Sequence, residues 1–341
     1  MKQLVVTICT TLLLTGGNSW AGSIENGVAA YKRGDYSETV KWFRLAAAEG
    51  DVRAQTGLGL MYEDGKRVTQ DYTEALKWLR LAAAQGDADA QFYLGKMYAN
   101  GHGVTQDYAE TMKWHRLAAA QGNVNAQTSL GGMYNFGRGV VQDYAEAVKW
   151  YRLAAAQGNA DAQFFLGYMY SVGQGVTKDY AEALKWYRLS AAQGNVGGQL
   201  NLGHMYSNGE GVTQNYGEAL KWFKLAAVRG IAQAQYNLGE IYVNGHGVVQ
   251  DYAEAVKWYR LAAVQGFAAA QNLLGYMYAK GQGVVQNYVR AHMWWNISAA
   301  SGDAMAIKNR DIVAEKMTSQ QIAEAQKMAI ECQQKKFKGC D

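Results

Sequence analysis

Tryptophan recurs every 36 residues, at Trp42, Trp78, Trp114, Trp150, Trp186, Trp222, Trp258 and Trp294. A fixed period of this length marks a repeat architecture, in which one supersecondary unit buries its apolar face only by stacking on the next. That overrides the two-domain expectation for a chain of 341 residues.

The unit around Trp150 shows what each repeat contains. Asn123 is placed to cap a first helix, on which Ala126, Leu130 and Tyr134 stand four apart and share one face. Gly131 permits a close helix approach. Gly137 supplies a left-handed stop, and Gly139 allows a second sharp turn before an apolar loop residue, Val140. Asp143 with Glu146 forms a capping-box pattern that starts a second helix. That helix carries a broad apolar surface through Tyr144, Val148, Trp150 and Tyr151, and a narrow polar stripe of Glu146, Lys149 and Arg152. Wet on one stripe only, it needs neighbours on several sides. The Asp-x-x-Glu pattern recurs from Asp35/Glu38 to Asp251/Glu254, so these carboxylates read as helix caps and not as catalytic acids.

The pattern Ala-Gln-x-x-Leu-Gly-x-Met-Tyr-x-x-Gly-x-Gly-Val-x-Gln-Asp-Tyr-x-Glu-Ala-x-Lys-Trp-x-Arg-x-Ala-Ala closely resembles the Sel1-like repeat, a relative of the tetratricopeptide repeat. The resemblance covers nearly all of residues 24–302. It implies an all-α fold, a right-handed α/α solenoid of helix-turn-helix repeats that works as a protein-interaction scaffold. Some positions depart from the pattern. Arg67 stands where the second loop glycine belongs, Ile231 and Phe267 replace the capping Asn or Asp, Arg290 replaces the capping Glu of the last unit, and the chain has no proline.

Residues 1–21 read as a secretory signal. Lys2 supplies the positive start, Leu4 to Leu14 the apolar run, and Ser19-Trp20-Ala21 the small residues that favour cleavage after Ala21. The apolar run is about half the ~20 residues needed to span a bilayer, so no membrane span is expected. The protein is therefore expected in the periplasm or outside the cell. Residues 22–50 form an atypical N-terminal capping repeat, 51–302 seven repeats, and 303–341 C-terminal capping helices, the last opened by a Thr318/Gln321 capping box. In an oxidising compartment Cys332 and Cys340 are expected to form a disulfide that clasps the tail.

Net charge is +4 at pH 7, from interspersed Lys, Arg and Glu, which gives no argument for nucleic acid. Each second helix carries a basic pair such as Lys149/Arg152, which reads as a solvated outer face. His102 and His246 hold the same loop position four repeats apart, too distant to share a metal, and no hydrolase or phosphate-loop motif is present. No cofactor, metal or catalytic residue is expected. A secreted, cysteine-rich branch of the family has been linked to β-lactam binding or hydrolysis. This chain lacks its per-repeat cysteines, so a β-lactam- or cell-wall-related hydrolase is a remote alternative.

By resemblance to tetratricopeptide repeats, the first helices line a concave surface. Inward positions that change from unit to unit include Phe92, Lys96, Phe136, Phe164, Tyr168, His204, Tyr236, Glu240 and Tyr276. Aromatic anchors beside Asn and Lys suit an extended or helical peptide. The expectation is a monomer with a groove centred on Phe164 and Tyr168, binding a protein or peptide as an envelope adaptor. The alternative is a secreted factor that engages a host immune protein.

Overall fold

The computed structural model describes residues 21–65, 68–337 and 339–340. The expected leader up to Trp20, and Arg67, lie outside them. Among the described residues there are eighteen helices and no strand, as the all-α expectation requires. The described residues divide into two compact units, those from 21 to 169 with 173–177, and 170–172 with those from 178 to 340.

The first unit contains α1 (Ala21–Arg33), α2 (Tyr36–Ala48), α3 (Val52–Asp64), α4 (Tyr72–Ala84), α5 (Ala88–Asn100), α6 (Tyr108–Ala120), α7 (Val124–Phe136), α8 (Tyr144–Ala156) and most of α9 (Ala160–Val172). The second contains the end of α9, then α10 (Tyr180–Ala192), α11 (Val196–Asn208), α12 (Tyr216–Ala227), α13 (Ala232–Asn244), α14 (Tyr252–Ala263), α15 (Ala268–Lys280), α16 (Tyr288–Ala299), α17 (Ala304–Ala314) and α18 (Ser319–Gln334). Within the units, sequence-adjacent helices pack on each other from α1 to α8 and from α10 to α17.

Local chemistry sets the boundaries. Asn123 Oδ1 accepts from the Ala126 N–H at 2.9 Å and starts α7. Gly137, at φ +64°, ends it and donates its N–H to the Met133 carbonyl. Gly139, at φ +73°, lies against the preceding repeat, where an added Cβ would come 2.4 Å from Tyr108 Cβ. Val140 is half-buried on the core cluster of Met112, Leu130 and Met133. Gln142 Nε2 donates to the Asn135 carbonyl at 2.7 Å and satisfies one of the orphan groups at the end of α7. Ile231 and Phe267 make no side-chain cap bond, as their chemistry dictates.

The second-helix start differs from the expected capping box. Asp143 Oδ1 accepts from the N–H groups of Ala145 and Glu146 at 2.9 and 3.0 Å. The return bond from the glutamate is not needed, because the Asp143 N–H already donates to the Tyr134 carbonyl at 3.0 Å. The glutamate turns along the helix instead. Glu110 accepts from Trp114 Nε1 at 2.9 Å and pairs with Lys113 Nζ at 3.0 Å. The reciprocal box forms at Thr318/Gln321, with bonds of 3.2 and 2.9 Å.

Two ladders tie repeat to repeat. Buried Gln91 and Gln127 donate to the carbonyls of Ala83 and Ala119, while Gln121 and Gln157 of the next second helices donate to Gln91 Oε1 and Gln127 Oε1 at 2.9 and 2.8 Å. The arginine of a second helix reaches the tyrosine of the following first helix, as in Arg80–Tyr98, Arg116–Tyr134, Arg188–Tyr206 and Arg260–Tyr278. Lys113, Lys149, Lys185 and Lys257 are each paired to a glutamate one turn earlier, which offsets the lysine of each basic pair, while the arginine keeps its charge. In the second unit α18 packs on α16. Ala325, Ala329 and Cys332 are buried there, and Cys332 is bonded to Cys340 with an S–S distance of 2.01 Å.

Candidate binding clefts between repeats

One second-helix position varies in chemistry while staying buried. It holds Phe43, Leu79, His115, Tyr151, Tyr187, Phe223, Tyr259 and Trp295, each no more than 4% exposed. The repeat pattern shows this position only as the variable residue between Trp and Arg. It faces a first-helix glycine, and a Cβ on Gly95, Gly131, Gly203, Gly239 or Gly275 would sit 2.3–2.7 Å from the paired ring. The contact lowers the first helix onto the ring and leaves the ring's far end as the floor of a cleft between consecutive first helices.

Three such clefts use one frame of positions. In the first unit, α5 and α7 flank a cleft of about 430 Å³ floored by His115 of α6, with Phe92 and Lys96 on one side, Phe136 and Arg138 on the other, and Tyr108 at the end. Three periods later, α11 and α13 flank one of about 470 Å³ over Phe223, where His204, Glu240, Asn244 and His246 replace Lys96, Gly132, Phe136 and Arg138. Two periods further, α15 and α17 flank one of about 300 Å³ over Trp295, with Tyr276, Lys280, Ile312 and Lys316 on its walls. The C-terminal helix α17 thus keeps the first-helix register although it lacks the repeat's sequence landmarks.

The electrostatics differ accordingly. In the first cleft, Lys96 Nζ lies 3.2 Å from Glu63. The Arg138 guanidinium sits over the Phe136 ring at 5.5 Å. His115 stacks on Phe92 at 5.4 Å, and burial pushes its imidazole down to about 4, so it is neutral at pH 7. In the second cleft, His204 Nε2 is 3.2 Å from Asn237 Nδ2, burial lowers its pKa, and Glu240 accepts from the Tyr259 hydroxyl. Among the described residues, no group of three His, Cys, Asp or Glu is placed to hold a metal ion, and no helix is long and apolar enough to cross a membrane.

The nine residues expected to bind a partner are distributed as follows. Phe92, Lys96 and Phe136 share the first cleft, His204 and Glu240 the second, and Tyr276 lines the third. Phe164 packs beside Phe165 at 5.1 Å, and Tyr168 is 40% exposed. Tyr236 is half-buried between Tyr259 and Phe267, at 5.9 and 5.4 Å. Phe165, absent from the expected set, lies 6.4 Å from Phe136 and stacks on Tyr151 at 5.2 Å, so aromatic rings run from the first cleft to Phe164. The floor residues, Tyr108 and Arg138 were also absent from the expected set, because they lie on second helices or in the loop between the helices and not on the first helices.

Helix hairpins stacked in register, with constant packing positions and clefts of changing chemistry, define an α-solenoid repeat scaffold. The chain belongs to the Sel1 repeat family. The family model matches residues 21–51, 52–87, 88–123, 124–159, 160–195, 196–230, 232–267 and 268–303. A Sel1 repeat protein from Oxalobacter formigenes is 35% identical over 90% of this chain and 89% of its own, with a TM-score of 0.66. The protein c5321, described as a protective antigen present in uropathogenic Escherichia coli strains and displaying an SLR fold, is 33% identical over 94% of this chain and 85% of its own, with a TM-score of 0.47. No curated relative matches the chain.

Proposed function

We propose that the protein is an exported, non-catalytic scaffold that docks another protein by an extended segment laid across its first helices. One observation carries this reading. Most positions that stack the repeats hardly change, whereas the matched cleft position reads Lys96, His204 and Tyr276 in three clefts built on one frame. A frame held constant under changing linings suits the recognition of a chemically different partner residue at each cleft. The aromatic run from Phe92 through Phe136 and Phe165 to Phe164 supplies the anchors. The glutamate beside each lysine offsets half of the basic ladder, and the charges are interspersed, which gives no argument for nucleic acid.

The buried Cys332–Cys340 bond fits an oxidising compartment, in keeping with the leader read in residues 1–21. Within the envelope the protein would act as a monomeric adaptor. The test is capture of a partner from envelope extract by the chain from Gly22 onward, beside a Phe136→Ala/Phe164→Ala/Tyr168→Ala variant of matched melting temperature. Loss of one defined partner from the variant supports the reading, and equal capture removes these residues from the site. Cell fractionation decides the setting: retention in the periplasm fits an adaptor, and release to the medium fits a factor that engages a host protein.

A further inference from the structure

The cleft between α5 and α7 differs from its counterparts in one respect. Its walls are mainly apolar, from Phe92, Tyr108, Met133 and Phe136, and its charged lining residues are two cations, Lys96 and Arg138, with no carboxylate among them. The matched cleft of the second unit is lined instead by two histidines, a glutamate and three asparagines. Lys96 is already shared with Glu63, but Arg138 is exposed at the mouth, with its guanidinium over the Phe136 ring and no ion pair to a carboxylate among the described residues. At Gly132 an added Cβ would meet nothing nearer than Tyr151 Oη at 3.7 Å, whereas the equivalent positions elsewhere in the chain bear Tyr168 and Tyr276.

We propose that this cleft receives a large apolar side chain of the partner whose neighbouring residue is an aspartate or glutamate. The apolar group would enter over His115 between Phe92 and Phe136, and its carboxylate neighbour would meet Arg138 at the rim. The proposal rests on the scaffold reading above and deepens it. An apolar anchor supplies the burial, and the rim charge selects partners and accelerates encounter.

The experiment is selection from a displayed library of random peptides on the chain from Gly22 to Asp341, with two variants chosen to keep the fold. Gly132→Tyr fills the cleft with a side chain that the same position holds elsewhere. Arg138→Glu reverses an exposed charge. Peptides selected by the native chain should carry Asp or Glu beside Phe, Leu, Ile or Met. They should lose measurable binding to Gly132→Tyr, and bind Arg138→Glu at least about five-fold more weakly, because reversal replaces an attraction with a repulsion.

Selection of basic or charge-indifferent peptides, or binding unchanged in both variants, overturns the proposal. So does concentration-dependent self-association that Gly132→Tyr abolishes, because it assigns the cleft to a second copy of the chain. The two readings separate cleanly. If the envelope partner is still captured by both variants, the docking chemistry is wrong and the scaffold stands. If neither peptide nor partner is captured by the native chain, both fall.

Discussion

Tyr151 covers Gly131 so closely that a methyl group on that glycine would come within 2.6 Å of the ring's Cδ1 and Cε1. The next residue, Gly132, faces the open cleft. Gly131→Ala should therefore lower stability by about 1–3 kcal/mol, the cost of overpacking a filled core. Gly132→Ala should raise it by about 0.5–1 kcal/mol, because alanine restricts the unfolded chain and suits a helix interior. Chemical denaturation of the two variants checks both, and matched effects of one sign would refute the assignment.

The glutamine ladder has gaps that the sequence explains. Arg229 stands where Gln121 and Gln157 stand in their repeats, and Gln199 Oε1 is left buried without a partner. Arg229 donates instead to the Gly194 carbonyl. Gln121 and Gln157 make both bonds at once, to the equivalent carbonyls of Gly86 and Gly122 and to the glutamine. Arg229→Gln should restore the missing donor and stabilise the second unit by about 1 kcal/mol. A lower melting temperature would show that the arginine contributes more than the ladder.

His115 gives the first unit a pH dependence with a definite sign. Its native pKa is pushed from 6.5 down to about 4, first of all by burial. Between those values the unfolded chain binds the proton and the native chain does not. Stability held above pH 6.5 therefore falls as the pH drops, and the loss is complete below about pH 4. The full effect is on the order of 3 kcal/mol. His115→Leu should flatten the dependence, since Leu79 occupies the matched position fully buried. His204 and His292, whose pKa values are also lowered by burial, will leave a residual slope of the same sign. An unchanged profile in His115→Leu would remove His115 as the source.

Reduction of Cys332–Cys340 should destabilise the C-terminal helices by about 2–3 kcal/mol, the loop-entropy value for so short a loop. Both sulfurs belong to the cluster that includes Trp294, Ala325 and Ala329, so the loss should register there. A Cys332→Ser/Cys340→Ser variant should match the reduced protein in its tryptophan-detected melting curve. Equal curves for oxidised and reduced protein would mean that packing alone holds α18.

Most helix boundaries were legible because their causes are local. Asn123, Gly137 and Asp143 act within a turn of where they stand, and the period repeats the message in each unit. The same locality exposed Thr318/Gln321 and the missing caps at Ile231 and Phe267. Contacts one repeat apart were not legible. Nothing near Glu110 announces that the capping N–H is already taken by a carbonyl nine residues back, leaving the carboxylate to Trp114. Nothing near Gln127 reveals that it joins Ala119 to Gln157.

The sequence by itself determined the repeat, its two helices and the positions free to vary, because period, caps and stops are properties of short segments. Only the tertiary structure decided what those variable positions make. Phe92 and Phe136 meet across a cleft, whereas Tyr236, an equally variable aromatic, is half-buried between Tyr259 and Phe267. The cleft floor comes from the second helix, and its depth is set by a ring pressed on a glycine twenty residues earlier. Those relations arise when helices pack, and side-chain identity along one helix does not specify which neighbour will cover it.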